Sequence, residues 1–359
     1  MAKTQTGIVM ITLPRQPTVA GFFGSQALGN FIMQNLAFAA ACRDLGAGRR
    51  VALFHNDRPY KHLIVALNPA LTERISLDPK QKETLPMEWL NSDQAPDLFL
   101  TPARLEIDRV SLPLPRLRFP DHMTAPLSEA LKSLGVEPDR WFVCLHLREL
   151  GYRYRYGVDD RRSVDKSAYL LALDHVVREA GGQVVRIGDP SMEPMAKRFV
   201  DVDLAAVRDS FALQAFAVSR ARFFLGVDSG PTQLASGFGV PTLSTNAHGV
   251  GCWRSHDRVL FKRFFRAATG QALSPKDLLA IMDSKLQILH LTQEIRAEER
   301  TADDILDAVK EMLNLTRGQT GWRDNWSDEA GDDADEQAPS LGFPGPIGAL
   351  LRQKAFGIH

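Results

Sequence analysis

The residues best suited to chemistry cluster between positions 144 and 230. His146 and Arg148 alternate at the end of an apolar run, Trp141-Phe-Val-Cys-Leu-His-Leu147, so a strand there sends both side chains to one face. A cation pair at the mouth of a buried strand suits a phosphate, because an arginine fork can hold two phosphate oxygens at once. The plainer reading is a histidine satisfied by backbone carbonyls and an arginine paired with Glu149. The following stretch, 148–162, contains five arginines, three tyrosines and the acids Glu149, Asp159 and Asp160. Such residues supply stacking faces and charge-assisted donors for sugars, bases and diphosphates, although a charged edge strand would carry them too.

Two further strand ends carry compatible groups. In Ile187-Gly188-Asp189-Pro190-Ser191-Met192, the Gly-Asp step lets the backbone approach a ligand while a carboxylate faces it. Alternatively, Asp189 caps a helix with Pro190 at its first position. Gly226-Val-Asp228-Ser229-Gly230-Pro231-Thr232 runs from a strand into a helix, whose amide groups and dipole favour an anion. The three strand ends together point to a nucleotide-type ligand. Competing motifs fall short. Gly21, Gly24 and Gly29, with Asp57 beyond, suggest a dinucleotide site, but GxGxxG is absent. Asp201-Val-Asp203 has the DxD form of some metal-dependent sugar transferases without other context. No P-loop, HExxH or GxSxG occurs.

The elements that must position these groups alternate. Gly7–Leu13 predicts a first buried strand, 25–45 a helix stopped by Gly46 and Gly48, and 50–54 a second strand, giving a βαβ unit. Residues 58–66 predict a helix and 97–100 a strand, with a linker near 115–138. The second half repeats the pattern: strand 141–147, a helix capped by Ser167, strand 183–187, helix 210–220, strand 223–227, helix 231–238 and strand 240–244. The expected fold class is α/β, with two Rossmann-like parallel-sheet domains facing each other across a cleft. Expected divisions are 1–125, 126–275, C-terminal helices over 276–316, and an acidic, Pro/Gly-rich, disordered tail over 317–359. In that tail, seven of the thirteen residues 324–336 are acidic, far from a calcium-loop spacing.

Composition removes other classes. With 359 residues the chain is long enough for two domains. Its 43 basic and 43 acidic residues cancel, giving no global field for nucleic acid or an anionic membrane. Three separated cysteines make neither a disulfide scaffold nor a zinc site. No apolar run reaches the ~20 residues of a transmembrane helix, and the expectation is a cytoplasmic protein without a bound metal or cofactor.

His146-Leu-Arg148, Asp160-Arg-Arg-Ser163, Tyr169, Val185–Met192 and Phe224-Leu-Gly-Val-Asp-Ser-Gly230 together resemble a group of bacterial GT-B sugar transferases of surface-polysaccharide gene clusters. His-x-Arg is similar to the first donor motif of O-fucosyltransferase-like enzymes, in which that arginine contacts the β-phosphate of GDP-fucose. Asp-Ser-Gly, a helix and Phe238-Gly-Val-Pro241 are similar to the heptosyltransferase donor site. The resemblance covers about 140–275, and the N-terminal half only by architecture. It implies a nucleoside-diphosphate sugar as donor, with a GDP-sugar slightly favoured. Arg148, with His146, would hold the diphosphate; Asp228, Ser229 and Gly230 would lie at the phosphates, and Gly188, Asp189 and Ser191 near the nucleoside. The Gly24–Asn30 loop, including Gly29 and Asn30, would contact the acceptor or sugar.

The implied reaction is an inverting, metal-independent glycosyl transfer to a hydroxyl of a glycan, lipid-linked or protein acceptor. Arg148 and the helix start would stabilise charge on the leaving phosphate, and a base would deprotonate the acceptor. Glu149, Asp159 and Asp160 near the donor motif, and His55 or Asp57 at the opposing strand end, are the candidates. Rival readings are a sugar-nucleotide epimerase, a non-catalytic sugar-nucleotide scaffold and a nicotinamide enzyme.

Overall fold

A computed structural model describes residues 16–80, 95–101, 114–149, 162–248, 254, 256–274, 277 and 294–323. The expected strand 7–13, the loop acids Asp159 and Asp160 with the three tyrosines beside them, and the acidic tail beyond 323 lie outside the described residues.

The first sheet has four parallel strands in the order β3-β2-β1-β4: β1 (Thr18–Phe23), β2 (Arg49–His55), β3 (Glu73–Leu77) and β4 (Leu98–Leu100). The strand that feeds the first helix is therefore β1, not a segment ending at Leu13. Gly21 lies inside it rather than in a loop: a Cβ there would sit 2.5 Å from the ring of Phe38 on helix α1 (Leu28–Asp44). This close helix–strand packing replaces the dinucleotide reading of that glycine. Gly46, just past α1, takes the left-handed conformation (φ +61°) that ends a helix. Helix α2 (Pro59–Ala66) follows β2 and starts on a proline, whose missing N–H costs nothing there.

Helix α3 (Asp121–Ser133) occupies most of the span expected as linker. The second sheet has six parallel strands in the order β10-β9-β8-β5-β6-β7: β5 (Phe142–His146), β6 (Gln183–Arg186), β7 (Val202–Asp203), β8 (Phe223–Val227), β9 (Thr242–Ala247) and β10 (Arg258–Phe261). Between β5 and β6 runs α4 (166–179), a helix whose turns tighten at the start and widen at the end. Asp165, not Ser167, caps it, accepting from the Ser167 amide at 2.8 Å. Helix α5 (Phe211–Arg220) precedes β8 and α6 (Gly230–Phe238) follows it. In the range expected as C-terminal helices, Ile295–Glu298 is a strand (β12) paired antiparallel with β11 (Arg263–Arg266). A strand partner overrides the helix propensity of that composition. Among the described residues, α7 (Ala302–Leu315) matches the expectation, with a Thr301–Asp304 capping box.

One apolar core joins the two sheets: Phe31, Ile32 and Leu36 of α1 pack with Leu234, Ala235 and Phe238 of α6 and with Phe216 of α5. The connecting segment 114–120 threads through it. Leu117 N donates to Gly237 O (2.9 Å) and Arg118 N to Leu67 O (2.7 Å), one bond to each half. Phe119 stacks on Phe238 (5.5 Å) and meets Phe216 edge-on (5.2 Å). Arg254 grips the segment with Nη1 to Leu114 O and Nη2 to Pro115 O, both 3.1 Å, while Nε reaches Ser236 O in the last turn of α6 (2.6 Å). Among the described residues no helix is long and apolar enough to cross a membrane.

Replacing Arg254 by methionine keeps much of the apolar stem but leaves three carbonyls without these donors. We expect a loss of about 2–4 kcal/mol of stability in urea unfolding. An unchanged midpoint would mean that the connector is held by its aromatic ring stack alone.

Candidate functional site

In the second sheet the strand order reverses between β5 and β8: β6 and β7 lie on one side, β9 and β10 on the other. Open parallel sheets bind ligands beyond their carboxyl ends at such a switch point. His146 closes β5 opposite Gly226, and its Nδ1 lies 3.3 Å from the Ser229 hydroxyl, two residues beyond the end of β8. Burial, followed by the charges of Arg148 and Arg186, lowers the His146 pKa to about 4, so the ring is neutral at physiological pH. Arg148 is 7% exposed and anchored through its carbonyl, which accepts from Val164 N at 3.1 Å. Burial raises the Asp228 carboxyl above its usual range, with Arg162 and then Arg148 opposing the shift.

Ser229 is the N-cap of α6, yet its side chain does not cap the helix, and the first turn holds no acid. Thr232 turns its hydroxyl away, donating to Val227 O at 2.6 Å. The start of α6 faces the start of α1, which also lacks a side-chain cap and an acid in its first turn. Glycine on both sides eases the approach. A Cβ on Gly230 would lie 3.0 Å from Leu28 Cβ and 3.2 Å from Gly29 N, and one on Gly29 would lie 3.3 Å from Gly230 Cα. Two positive helix ends thus converge where the sheets face each other, a field that favours an anion. Gly29 packs helix on helix; of the pair expected at the acceptor, only Asn30 is exposed.

On the first domain, Asp57 follows β2 and pairs with Lys61 Nζ at 2.7 Å. Lys61 is wholly buried and lies over the Phe31 ring (5.0 Å). Burial opposes ionisation of Asp57, but the hydrogen bonds and charge of Lys61, with smaller help from its own backbone and Gln26, hold its pKa below the ordinary value. Tyr60 OH donates to Gln26 O (2.5 Å), tying the loop before α1 to α2. His55 instead packs edge-on against Phe22.

Glu149, expected as a catalytic carboxylate, is occupied. It accepts from Arg186 Nη2 (3.0 Å) and Glu193 N (2.9 Å) and lies 3.2 Å from Lys166 Nζ. In this arrangement both oxygens of Glu149 support neighbouring groups. Asp189 caps a turn and not a helix, its Oδ1 accepting from Ser191 N (2.9 Å) and Ser191 Oγ (2.6 Å). The DxD pair is structural: Asp201 accepts from Val184 N, and Asp203 pairs with Arg186 at 2.8 Å. Among the described residues no group of three or more His, Cys, Asp or Glu converges to hold a metal. The structure therefore brings together His146, Arg148, Asp228, Ser229 and Gly230, and sets Gly188, Asp189 and Ser191 on the neighbouring strand end.

No protein-family model matches the chain, and no curated protein matches it. Among solved structures, a glycosyl transferase family 9 protein from Veillonella parvula DSM 2008 aligns with a TM-score of 0.53 at 12% identity, over 83% of this chain and 97% of that one. The chain has the GT-B fold. The E. coli ADP-heptose lps heptosyltransferase II aligns at 0.48 with 12% identity, over 83% and 98%, and adds nothing to that assignment. In GT-B terms, the first sheet is the N-terminal Rossmann-like domain and the second the C-terminal one.

The His146 pKa makes a stability prediction. Between the ordinary imidazole value of 6.5 and about 4 the unfolded chain binds the His146 proton and the folded chain does not. Stability therefore falls as pH drops through this window. His256, lowered to about 3 by burial and four arginines, contributes to the same slope. His146→Gln should flatten part of it in denaturant melts. An identical slope in the variant would contradict the buried, neutral imidazole.

Proposed function

We propose that the chain is a glycosyltransferase that moves a sugar from a nucleoside-diphosphate sugar to a hydroxyl acceptor, with inversion and without a metal. The observation that carries this reading is the meeting of the α6 start, His146 and Arg148 at the switch point of the C-terminal sheet, opposite the start of α1. The donor diphosphate sits there, with the Gly230 amide, the Ser229 hydroxyl and the Arg148 guanidinium on its oxygens. The nucleoside extends toward the 188–193 loop at the end of β6. The GT-B fold is consistent with this arrangement.

An acceptor oxygen attacks the anomeric carbon as its bond to the β-phosphate oxygen breaks. The bonding pair leaves with the nucleoside diphosphate, and the acceptor proton passes to a base. Arg148 and the helix starts stabilise the growing negative charge, a contribution of about 3–4 kcal/mol for one well-placed donor. Neutral His146 donates or accepts one hydrogen bond there without adding charge. Asp57 is our choice of base: it lies on the acceptor side, and Lys61 keeps it ionised. Asp160 stays a candidate on its sequence position. The acceptor is a glycan, lipid-linked sugar or protein hydroxyl, and the cytoplasm is the proposed compartment.

The test is a calorimetric binding panel of GDP, ADP, UDP, dTDP and CMP on wild type and Arg148→Ala. One diphosphate should bind the wild type, with affinity about 10–100-fold weaker in the variant, as for loss of a charge-assisted hydrogen bond. Equal affinity would remove Arg148 from the donor site. The matching sugar nucleotide, incubated without acceptor, then separates transfer from epimerisation, since an epimerase interconverts the donor alone.

A further inference from the structure

The loop 188–193 has no regular structure, yet side chains of other elements fix its backbone at both ends. At its start, Gln214 of α5 grips a single residue twice. Its Oε1 accepts from Gly188 N and its Nε2 donates to Gly188 O, both at 3.0 Å. This is the double bond pattern that an antiparallel strand neighbour would provide, supplied here by a carboxamide beyond the last residue of β6. The same Nε2 reaches Ser210 Oγ (2.9 Å) and Leu204 O (3.3 Å). Only an amide can accept from the N–H and donate to the carbonyl of one residue; a carboxylate keeps the first bond and opposes the second.

Gly188 has φ +154°, and a Cβ on it would lie 2.2 Å from Met192 Sδ, so the loop folds back on itself immediately. At the other end, Glu149 Oε2 takes the Glu193 amide, while its Oε1 rests on Arg186, which is 1% exposed and also bound to Asp203. Glu149 directly follows Arg148, so the residue beside the proposed phosphate fork also sets the far end of the loop.

We propose that Gln214 and Glu149 are positioning residues that seat the 188–193 loop for the nucleoside end of the donor. This rests on the donor-site reading above. The molecule contains a control: Gln183 makes the same kind of clamp, accepting from Glu137 N (2.8 Å) and donating to Gly135 O (3.0 Å), at the opposite end of β6. If such clamps served stability alone, breaking either would have the same consequences.

The experiment measures melting temperature and calorimetric affinity for whichever nucleoside diphosphate binds the wild type, using the full chain and Gln214→Leu, Gln214→Glu, Glu149→Gln and Gln183→Leu. Gln183→Leu should lower the melting temperature and leave Kd unchanged. Gln214→Leu should weaken Kd about 10-fold, and Gln214→Glu at least as much, since its charge faces the carbonyls of Gly188 and Leu204. Glu149→Gln keeps an acceptor for Glu193 N but loses its ion pairs, and should weaken Kd by roughly 3-fold. Should the Gln214 variants fail to fold, Glu149→Gln decides alone. Folded Gln214 or Glu149 variants with wild-type Kd would overturn the proposal, as would an equal loss of affinity in Gln183→Leu. Failure of the wild type to bind any nucleoside diphosphate would instead overturn the donor-site reading.

Discussion

The structure depends on the contact between the starts of α1 and α6, made at Gly29 and Gly230. A Cβ on either residue would meet the other helix at 3.0–3.3 Å, tighter than ordinary contact, so glycine lets the two helix starts approach this closely without displacing a neighbour. The contact is electrostatically adverse, because it brings two positive helix ends together. Apolar burial below it, Phe31 and Ile32 against Leu234 and Phe238, supplies the opposing attraction. The adverse field is confined to the place where the two helix starts meet. Positive potential there is thus a consequence of how the halves pack, independent of any one side chain.

Parallel sheets have an opposite edge as well, where helix C-termini collect. There the chain places arginines. Arg222 donates to Leu313 O at the end of α7 (2.8 Å), Arg254 to Ser236 O at the end of α6, and buried Arg258 pairs with Glu311 (2.7 Å). Two of these guanidinium groups thus satisfy carbonyls at helix C-termini, where positive charge is favoured. Among the described arginines nearer the carboxyl end of the sheet, Arg162 and Arg148 act on Asp228, whereas Arg186 is consumed by Glu149 and Asp203.

Much of this was legible in the residues. Buried parallel strands are short apolar runs, and β5, β6 and β8 stood where their composition placed them. The meeting of His146, Arg148 and Asp228–Gly230 at adjacent strand ends was legible because a strand end is a local feature of the sequence. β1 was missed because Thr18–Phe23 carries a glycine and follows Pro17, while Gly7–Leu13 offered a stronger apolar run. The partners of Glu149 were not legible because Arg186 and Glu193 lie 37 and 44 residues away. A signal did exist: a charged residue inside Gln183-Val-Val-Arg-Ile187 must find a partner when both faces of the strand are covered. No local pattern announces Gln214, whose partner Gly188 is 26 residues distant.

The threaded connector has a consequence for any attempt to divide the molecule. Residues 114–120 read as a tether between two modules, and a cut near 125 looks harmless on that view. Yet Phe119 fills a slot between Phe216 and Phe238, and the carbonyls of Leu114 and Pro115 satisfy Arg254. A C-terminal half expressed from 126 onward would present an open aromatic slot and a stranded guanidinium to solvent. Chimeras that exchange the first half while keeping the second must carry the connector with the second half, joining upstream of Leu114. The segment is anchored in both halves: Leu114 packs against Ala37 and Ala40 of α1 and Arg118 N bonds Leu67 O, while Phe119 and the Arg254 partners tie it to the half that follows.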